Sequence, residues 1–458
     1  MKINIENDMI TIQNIDKSTF DKLEKYLSYK DRSKEFQLRK HAKNPFVKNT
    51  PFYKKLQNEV YGCLLKTINE NTVKLHSGFA YIFNNLDVID NRKDTGKDIS
   101  LPWKNKPFPL RDYQQEAVDK MIESYRGVVN YATGLGKTLV SVYAIKQFKK
   151  KTLVVCPSES IAVNFYNELC SAFGENKVGF FSGKKKKIKD ITVGIAGSVN
   201  NHVDKFVKED LGLIIFDETH HTPATTFFNI TDKLGYVGRI FGLTATSFRS
   251  DGKDIMITAG VGPTIVKKDI IWGINSNWLA KPYIVVRKVD TFGKDYKGDK
   301  LKNYKQHVLK SQELNDRIIK DIDSFIKAGK SVLCLVNEVE HGRILSEALG
   351  LNFATGLDKN SQSYVDQLNK GSIPGLIGTD KCIGEGTDTK RVDVLVLANF
   401  VASKGLLWQN LGRGMRLYGD KKHVIILDYC PTGSNMLTRH AQQRIDFYKE
   451  ITKDVKVV

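Results

Sequence analysis

Seven consecutive residues, Ala132-Thr133-Gly134-Leu135-Gly136-Lys137-Thr138, have the composition of a phosphate cradle. They follow an apolar run at 127–131 and lead into a helical pattern at 138–148, so the order is strand, glycine turn, helix. Glycines let successive backbone N–H groups converge on phosphate oxygens, and the helix start adds the positive end of its dipole. In such a loop Thr133, Gly134, Leu135 and Gly136 offer backbone, Lys137 reaches the β- and γ-phosphates, and the Thr138 hydroxyl ligates Mg²⁺. The strict pattern asks for glycine where Tyr131 stands. A second group, Asp217-Glu218-Thr219-His220, closes the apolar run at 211–216. An acidic pair at the carboxyl end of a strand suits a nucleotide-bound metal: Asp217 for Mg²⁺, Glu218 as general base toward an attacking water.

These residues need a scaffold of parallel strands. From 107 to about 270, apolar runs at 127–131, 152–156, 191–195, 211–216 and 239–243 alternate with helix-length segments. A second series follows at 331–336, 351–354, 375–378, 392–397 and 423–427, with 272–304 as a partly extended connection. The expected fold class is α/β, with two tandem parallel-sheet domains after a small α+β N-terminal domain. The expected boundaries are 1–100, 105–275 and 281–458.

The N-terminal region reads differently. Short alternating segments at 3–5 and 9–12 suggest strands, and 17–29 has helical spacing with Ser18 as its cap. Then basic residues interleave with rings: Arg32, Lys34, Phe36, Arg39, Lys40, Lys43, Phe46, Lys48, Phe52, Tyr53, Lys54, Lys55. That mixture suits either nucleic-acid binding or a solvated lysine face. The polar segment 90–100 reads as a linker, and the run Lys184 to Lys187 as a solvated loop cluster, with a DNA backbone contact as the alternative.

Composition sets the bounds. The 458 residues are 41% hydrophobic and 27% charged, which is globular. A formal net charge of +20 favours a polyanionic partner. No apolar stretch approaches the roughly 20 residues of a membrane span, and no secretory segment opens the chain. The six cysteines show no metal-ligand spacing and read as reduced core residues. A cytoplasmic protein, in the host cytoplasm if phage-encoded, is the expectation.

From 110 to 429 the order of motifs resembles superfamily 2 helicases and translocases, whose two domains are RecA-like and whose cofactors are ATP and Mg²⁺. Leu110-Arg111-Asp112-Tyr113-Gln114 looks like the motif whose glutamine reads adenine, so Arg111 and Gln114 are expected at the base. Val154-Val155-Cys156-Pro157-Ser158 resembles a motif touching the nucleic-acid backbone, with Ile161 where leucine is usual. Ile195-Ala196-Gly197-Ser198 stands in loosely for the next one. The resemblance thus implies Pro157, Ser158 and Ser198 as DNA contacts. Thr244-Ala245-Thr246 is similar to the motif coupling hydrolysis to strand contact, with Ser247 replacing a common proline.

Further on, Gly378-Thr379-Asp380 and Gly384-Glu385-Gly386-Thr387-Asp388 resemble motif V, which implies Thr379 on a DNA phosphate and Gly386 and Asp388 facing the nucleotide. Gln409-Asn410-Leu411-Gly412-Arg413-Gly414-Met415-Arg416 resembles motif VI. Arg413 and Arg416, three apart, are expected to share one helix face. Arg416 is the expected arginine finger, Arg413 assists, and Gln409 lies near the attacking water. The resemblance places ATP between the two domains.

Thr219-His220 and Gln409-Asn410 differ from the DEAD-type RNA helicases. The pattern is closer to restriction-enzyme motors, excision-repair helicases and phage UvsW-like helicases, and length with a small basic N-terminal domain favours the last. The implied function is an ATP-dependent helicase or translocase on forked, junction or single-stranded DNA, acting as a monomer. The alternatives are a restriction-type motor subunit, an RNA-dependent ATPase, and an ATP-gated DNA clamp.

Overall fold

Runs dominated by Val, Ile, Leu and Phe form parallel strands buried on both faces, as a sheet covered by helices demands. The computed structural model describes residues 1–42, 44–48, 50–219, 224–245, 252–297, 299–384, 389–400 and 403–458. One compact unit comprises residues 1–131 and 136–267; the other comprises 132–135 and 268–458.

In the first unit the seven-stranded order is Val178–Phe181, Ile191–Ile195, Thr152–Cys156, Leu213–Phe216, Arg239–Thr244, Arg126–Tyr131, Thr264–Lys268. The pairings from Val178–Phe181 across to Arg126–Tyr131 are parallel. Ile195 sits opposite Cys156, Phe216 opposite both Val155 and Gly242, and Thr244 opposite Asn130. The segments after these strands therefore leave the sheet at one carboxyl edge, where α/β folds gather their functional groups.

The second unit repeats the plan in the order Asn352–Ala354, Gly375–Thr379, Val332–Val336, Val394–Ala398, His423–Pro431, Lys281–Val289, Val455–Val457. All its pairings are parallel. Lys281–Val289 falls inside the segment expected to be a connection. It pairs residue by residue with His423–Pro431 from Lys281 opposite His423 to Val289 opposite Pro431. Its Lys-Pro-Tyr start and half-buried alternation hide it from a search for unbroken apolar runs. Beneath this sheet Arg444 donates from Nε to Asp428 Oδ2 at 2.7 Å and from Nη2 to Oδ1 at 2.9 Å. Tyr448 donates to the same carboxylate at 2.8 Å, and both ions are fully buried.

The N-terminal residues form a five-stranded sheet and the helix Lys17–Leu27. Asp16 caps that helix by accepting from the Thr19 N–H at 2.9 Å, which corrects Ser18: the serine lies inside the first turn. The segment 90–100 is no free linker. Lys97 N–H donates to the Asp210 carbonyl, Ile99 N–H to that of Lys149, and Asp94 pairs with Arg239 at 2.5 Å. The N-terminal core of Ile3, Ile10, Val73 and Phe79 continues into Ala259 and Phe228 of the first unit's helices. No described helix is long and apolar enough to cross a membrane.

Removing one member of a buried bidentate pair strands the other, at about 3–5 kcal/mol. Arg444→Leu is thus expected to lower the second unit's melting transition by about 6–20 °C in calorimetry. A shift within about 2 °C would show that Asp428 finds another partner or takes a proton at little cost.

Candidate nucleotide site

The strand Arg126–Tyr131 runs into the loop, and the helix Lys137–Phe148 begins directly after it. Gly134 and Gly136 have φ values of +92° and +81°, left-handed conformations that glycine adopts without cost. A Cβ on Gly136 would also stand 2.4 Å from Gln114 Nε2, so the glutamine amide lies against the loop. Gln114 is 3% exposed, and its Oε1 accepts from the Arg111 N–H at 3.0 Å. Arg111 in turn donates to the Tyr113 hydroxyl at 3.2 Å. Tyr131, where the strict pattern has glycine, is fully buried and donates its hydroxyl to the Tyr113 carbonyl. The departure thus ties the loop's strand to the helix Asp112–Glu123 that carries Gln114.

The Lys137 ammonium donates to the Tyr131 carbonyl at 3.1 Å and lies 3.6 Å from Glu218 Oε1. Asp217 extends its strand by donating its N–H to Val155 O at 2.9 Å, which sets its carboxylate at the sheet edge. That carboxylate is 7% exposed. Burial, then the neighbouring charge of Glu218, pushes the Asp217 carboxyl up to about 7, with Lys137 opposing. Glu218 adopts φ +43°, a left-handed conformation worth about 1–2 kcal/mol of strain in a residue with a Cβ. Thr219 holds the turn: its N–H bonds Leu243 O at 3.0 Å, and its hydroxyl reaches Phe216 O and Leu243 O. A Cβ on Gly242 would meet that hydroxyl at 2.7 Å. As a glycine inside an apolar run, Gly242 carries no chemical signal in the sequence.

Two carboxyl groups and one ammonium meet in a largely dry site. Carboxylate and hydroxyl oxygens at a glycine-built helix start suit a hard divalent ion with a triphosphate. The residues present therefore fit Mg²⁺ and ATP.

Pro157 and Ser158 follow the strand Thr152–Cys156, and Ser198 lies in the short helix Ala196–Asn200 after Ile191–Ile195. All three are half-buried at the same carboxyl edge. Thr244, buried, ends its strand; His220, Thr246 and Ser247 lie outside the described residues, as do Glu385, Gly386, Thr387 and Asp388.

In the second unit Thr379 ends the strand Gly375–Thr379. The adjoining Asp380 carboxylate accepts from Asn399 at 2.8 and 2.9 Å and from Asn410 at 3.4 Å, while Arg413 donates to Asn410 Oδ1 at 2.8 Å. Burial pushes the Asp380 carboxyl up to about 6 against these partners. Gln409 and Arg413 are both buried on the helix Lys404–Gly414. Arg416 is not on that helix, which corrects the shared face. Gly412 and Gly414 weaken its last turn, Met415 caps it through Leu411 O, and Arg416 follows, partly exposed.

Residues 107–249 match the family model described as "Type III restriction enzyme, res subunit". A putative DNA 3'-5' helicase Rad25 of Haloarcula marismortui is 26% identical over 363 residues, 76% of this chain and 57% of that one. The probable helicase D10 of Escherichia phage T5 is 25% identical over 370 residues, 79% of each chain. The chain is thus similar to superfamily 2 helicases along most of its length. A fragment of a putative HsdR subunit of a type I restriction enzyme from Vibrio vulnificus shares its fold. Its TM-score is 0.57 at 21% identity, over 77% of this chain and 70% of that one. Two archaeal Rad25 relatives are longer proteins, of which the chain spans 57% and 52%.

The turn at Glu218 can be tested away from the polar residues. Gly242→Ala is expected to displace Thr219 and with it Glu218, cutting ATP turnover by up to about 100-fold. Equilibrium binding of a fluorescent nucleotide should persist. Turnover near that of the unaltered chain would show that the turn absorbs a methyl group and that Thr219 does not set Glu218.

Proposed function

We propose that the chain is an ATP- and Mg²⁺-dependent DNA helicase or translocase that unwinds or branch-migrates forked and junction DNA in recombination, repair or replication. The observation carrying this reading is the meeting of Lys137, Asp217, Glu218 and Gln114 with a glycine loop at one sheet edge. The names of several relatives, DNA 3'-5' helicases and translocases, support DNA rather than RNA.

On this reading residues 1–100 contact DNA, 105–275 bind the nucleotide, and 281–458 complete the motor. Lys137 exchanges Glu218 for the β- and γ-phosphates. Glu218, released from that contact, takes the proton of the water whose oxygen attacks the γ-phosphorus as the bond to ADP breaks. Asp217 and the Thr138 hydroxyl would hold Mg²⁺, which would supply positive charge for phosphoryl transfer. Arg416 neutralises the γ-phosphate as it leaves, Gln409 orients the water, and Arg413 keeps the helix carrying Gln409 in register through Asn410. Arg111 and Gln114 hold the adenine; Gly386 and Asp388 face the nucleotide. Pro157, Ser158, Ser198 and Thr379 grip DNA phosphates, so sequence is not read.

A second reading, the motor subunit of a restriction-type complex, draws on the family model matched by residues 107–249. The two separate in ATPase stimulation by single-stranded DNA, duplex, fork, four-way junction and RNA at fixed salt. Strongest stimulation by forks and junctions with strand displacement supports the remodelling motor. Equal response to plain duplex without unwinding supports the restriction-type subunit, and stimulation by RNA alone overturns both.

Lys137→Ala is expected to abolish hydrolysis, and ATPase near the unaltered level would remove the phosphate loop from the mechanism. Glu218→Gln should bind ATP and DNA and stall. Arg416→Ala is expected to keep nucleotide affinity while losing about 10³-fold in turnover. A loss of affinity that alone accounts for the lost rate would count against the finger role.

A further inference from the structure

Residues 32–58 carry eight lysines and arginines against one glutamate. They form the helices Arg32–His41, Pro45–Lys48 and Pro51–Glu59. The first of these buries no side chain at all. Tyr53 and Leu56 are the buried residues of the third, so Tyr53 belongs to packing and leaves the set of rings available to a ligand. Three phenylalanines point the other way: Phe36 is 71% exposed, Phe46 90% and Phe52 53%. Phe52 also meets the His41 ring edge-on at 5.5 Å, bringing the end of the first helix to the start of the third.

Exposed phenylalanine is costly in water, and three within 17 residues need a reason. The surrounding charge supplies one. Glu35 is engaged by Lys30 and Arg39, and Glu59 by Lys34. Lys40, Lys48 and Lys54 are exposed, and no ion pair engages them among the described residues. Rings standing among free ammonium groups match a strand that offers phosphates on one side and open base faces on the other. Stacked duplex hides those faces. The group is anchored to the motor fold: Asp31 caps the first helix through the Ser33 and Lys34 N–H groups and pairs with Lys253 Nζ at 2.6 Å. Lys253 immediately precedes the helix Asp254–Val261 of the first unit.

We propose that Phe36, Phe46 and Phe52, with Lys40, Lys48 and Lys54, form a single-strand grip that stacks on the unstacked bases of a DNA fork. The grip selects single-stranded over duplex DNA through the rings, while the lysines add affinity without selectivity. It rests on the reading of the chain as a DNA motor and names the part of that substrate held by the N-terminal region.

The test uses the full chain, with fluorescence anisotropy on an oligothymidylate of about 20 nucleotides and on a blunt duplex of equal length. Phe36→Ala/Phe46→Ala/Phe52→Ala is expected to weaken oligothymidylate binding by at least about fivefold for each ring that stacks. Duplex binding and the salt slope of the oligothymidylate should stay as they are. Lys40→Ala/Lys48→Ala/Lys54→Ala is expected to flatten that salt slope by about 2 units, on single-stranded DNA at roughly 0.7 per phosphate contact. All six side chains are solvent-exposed, and unchanged melting curves confirm that both variants fold.

Oligothymidylate affinity unchanged in the ring variant overturns the proposal. So does an equal loss on duplex, which would make the surface a plain backbone contact. A dimer of the unaltered chain that the ring variant dissociates, with DNA affinity intact, assigns the rings to a second copy and overturns it too. If no polynucleotide stimulates the unaltered chain's ATPase, the motor reading itself falls. If stimulation is present and only the ring variant binds normally, the grip alone falls.

Discussion

Two carboxylates and one ammonium share a nearly dry edge of the first sheet, and much of the local backbone serves that arrangement. Asp217 is drawn in because its N–H completes the sheet pairing to Val155. Glu218 must then turn back toward Lys137, and the backbone does so by taking a left-handed conformation at a residue that dislikes it. The turn persists because Thr219 is bonded on both sides of it, and Thr219 fits because position 242 has no side chain. Strain at one residue is thus held by the packing of two others, which is how a strained conformation survives at a functional site.

The second unit treats its buried charges differently. Asp380 is surrounded by two asparagine amides with Arg413 behind one of them, and Asp428 is clamped by Arg444 and Tyr448. Both carboxylates are satisfied within the unit. A satisfied buried network fixes geometry and resists rearrangement. Arg413 therefore belongs to the rigid part of its helix, whereas Arg416 lies beyond the helix end.

The phosphate loop and the acidic pair were legible because their chemistry needs particular residue types at fixed spacing. The buried strands were legible because a sheet covered on both faces needs unbroken apolar runs. What escaped notice obeys softer rules. Lys281–Val289 is half-buried and begins with Lys-Pro, so its nine-residue pairing with His423–Pro431 comes from tertiary contact. The helix end before Arg416 depends on glycines that the motif requires for other reasons. Asp16 displaced Ser18 as cap by a shift of two residues, within the usual uncertainty of a helix start. The segment 90–100 is anchored by backbone bonds to Asp210 and Lys149 and by polar side chains such as Asp94 on Arg239, none of which needs an apolar run.

Buried contacts join the N-terminal region to the sheet that carries the phosphate loop. Arg126, the first residue of the strand leading to the phosphate loop, is buried and donates to the carbonyls of Gly260 and Asn7 at 2.5 Å and of Gly235 at 2.7 Å. Burial lowers its pKa to about 10, still far above neutrality, so the charge stays and the carbonyl dipoles carry it. Gly78 lies so close to helix Asp254–Val261 that a Cβ would overlap the Thr258 carbonyl. A core shared with Ala259 and Phe228 completes the union. A buried guanidinium spanning three segments, backed by continuous apolar packing, leaves no hinge between the N-terminal sheet and the strand of the loop. Whatever the N-terminal helices hold is therefore held in the frame of Lys137.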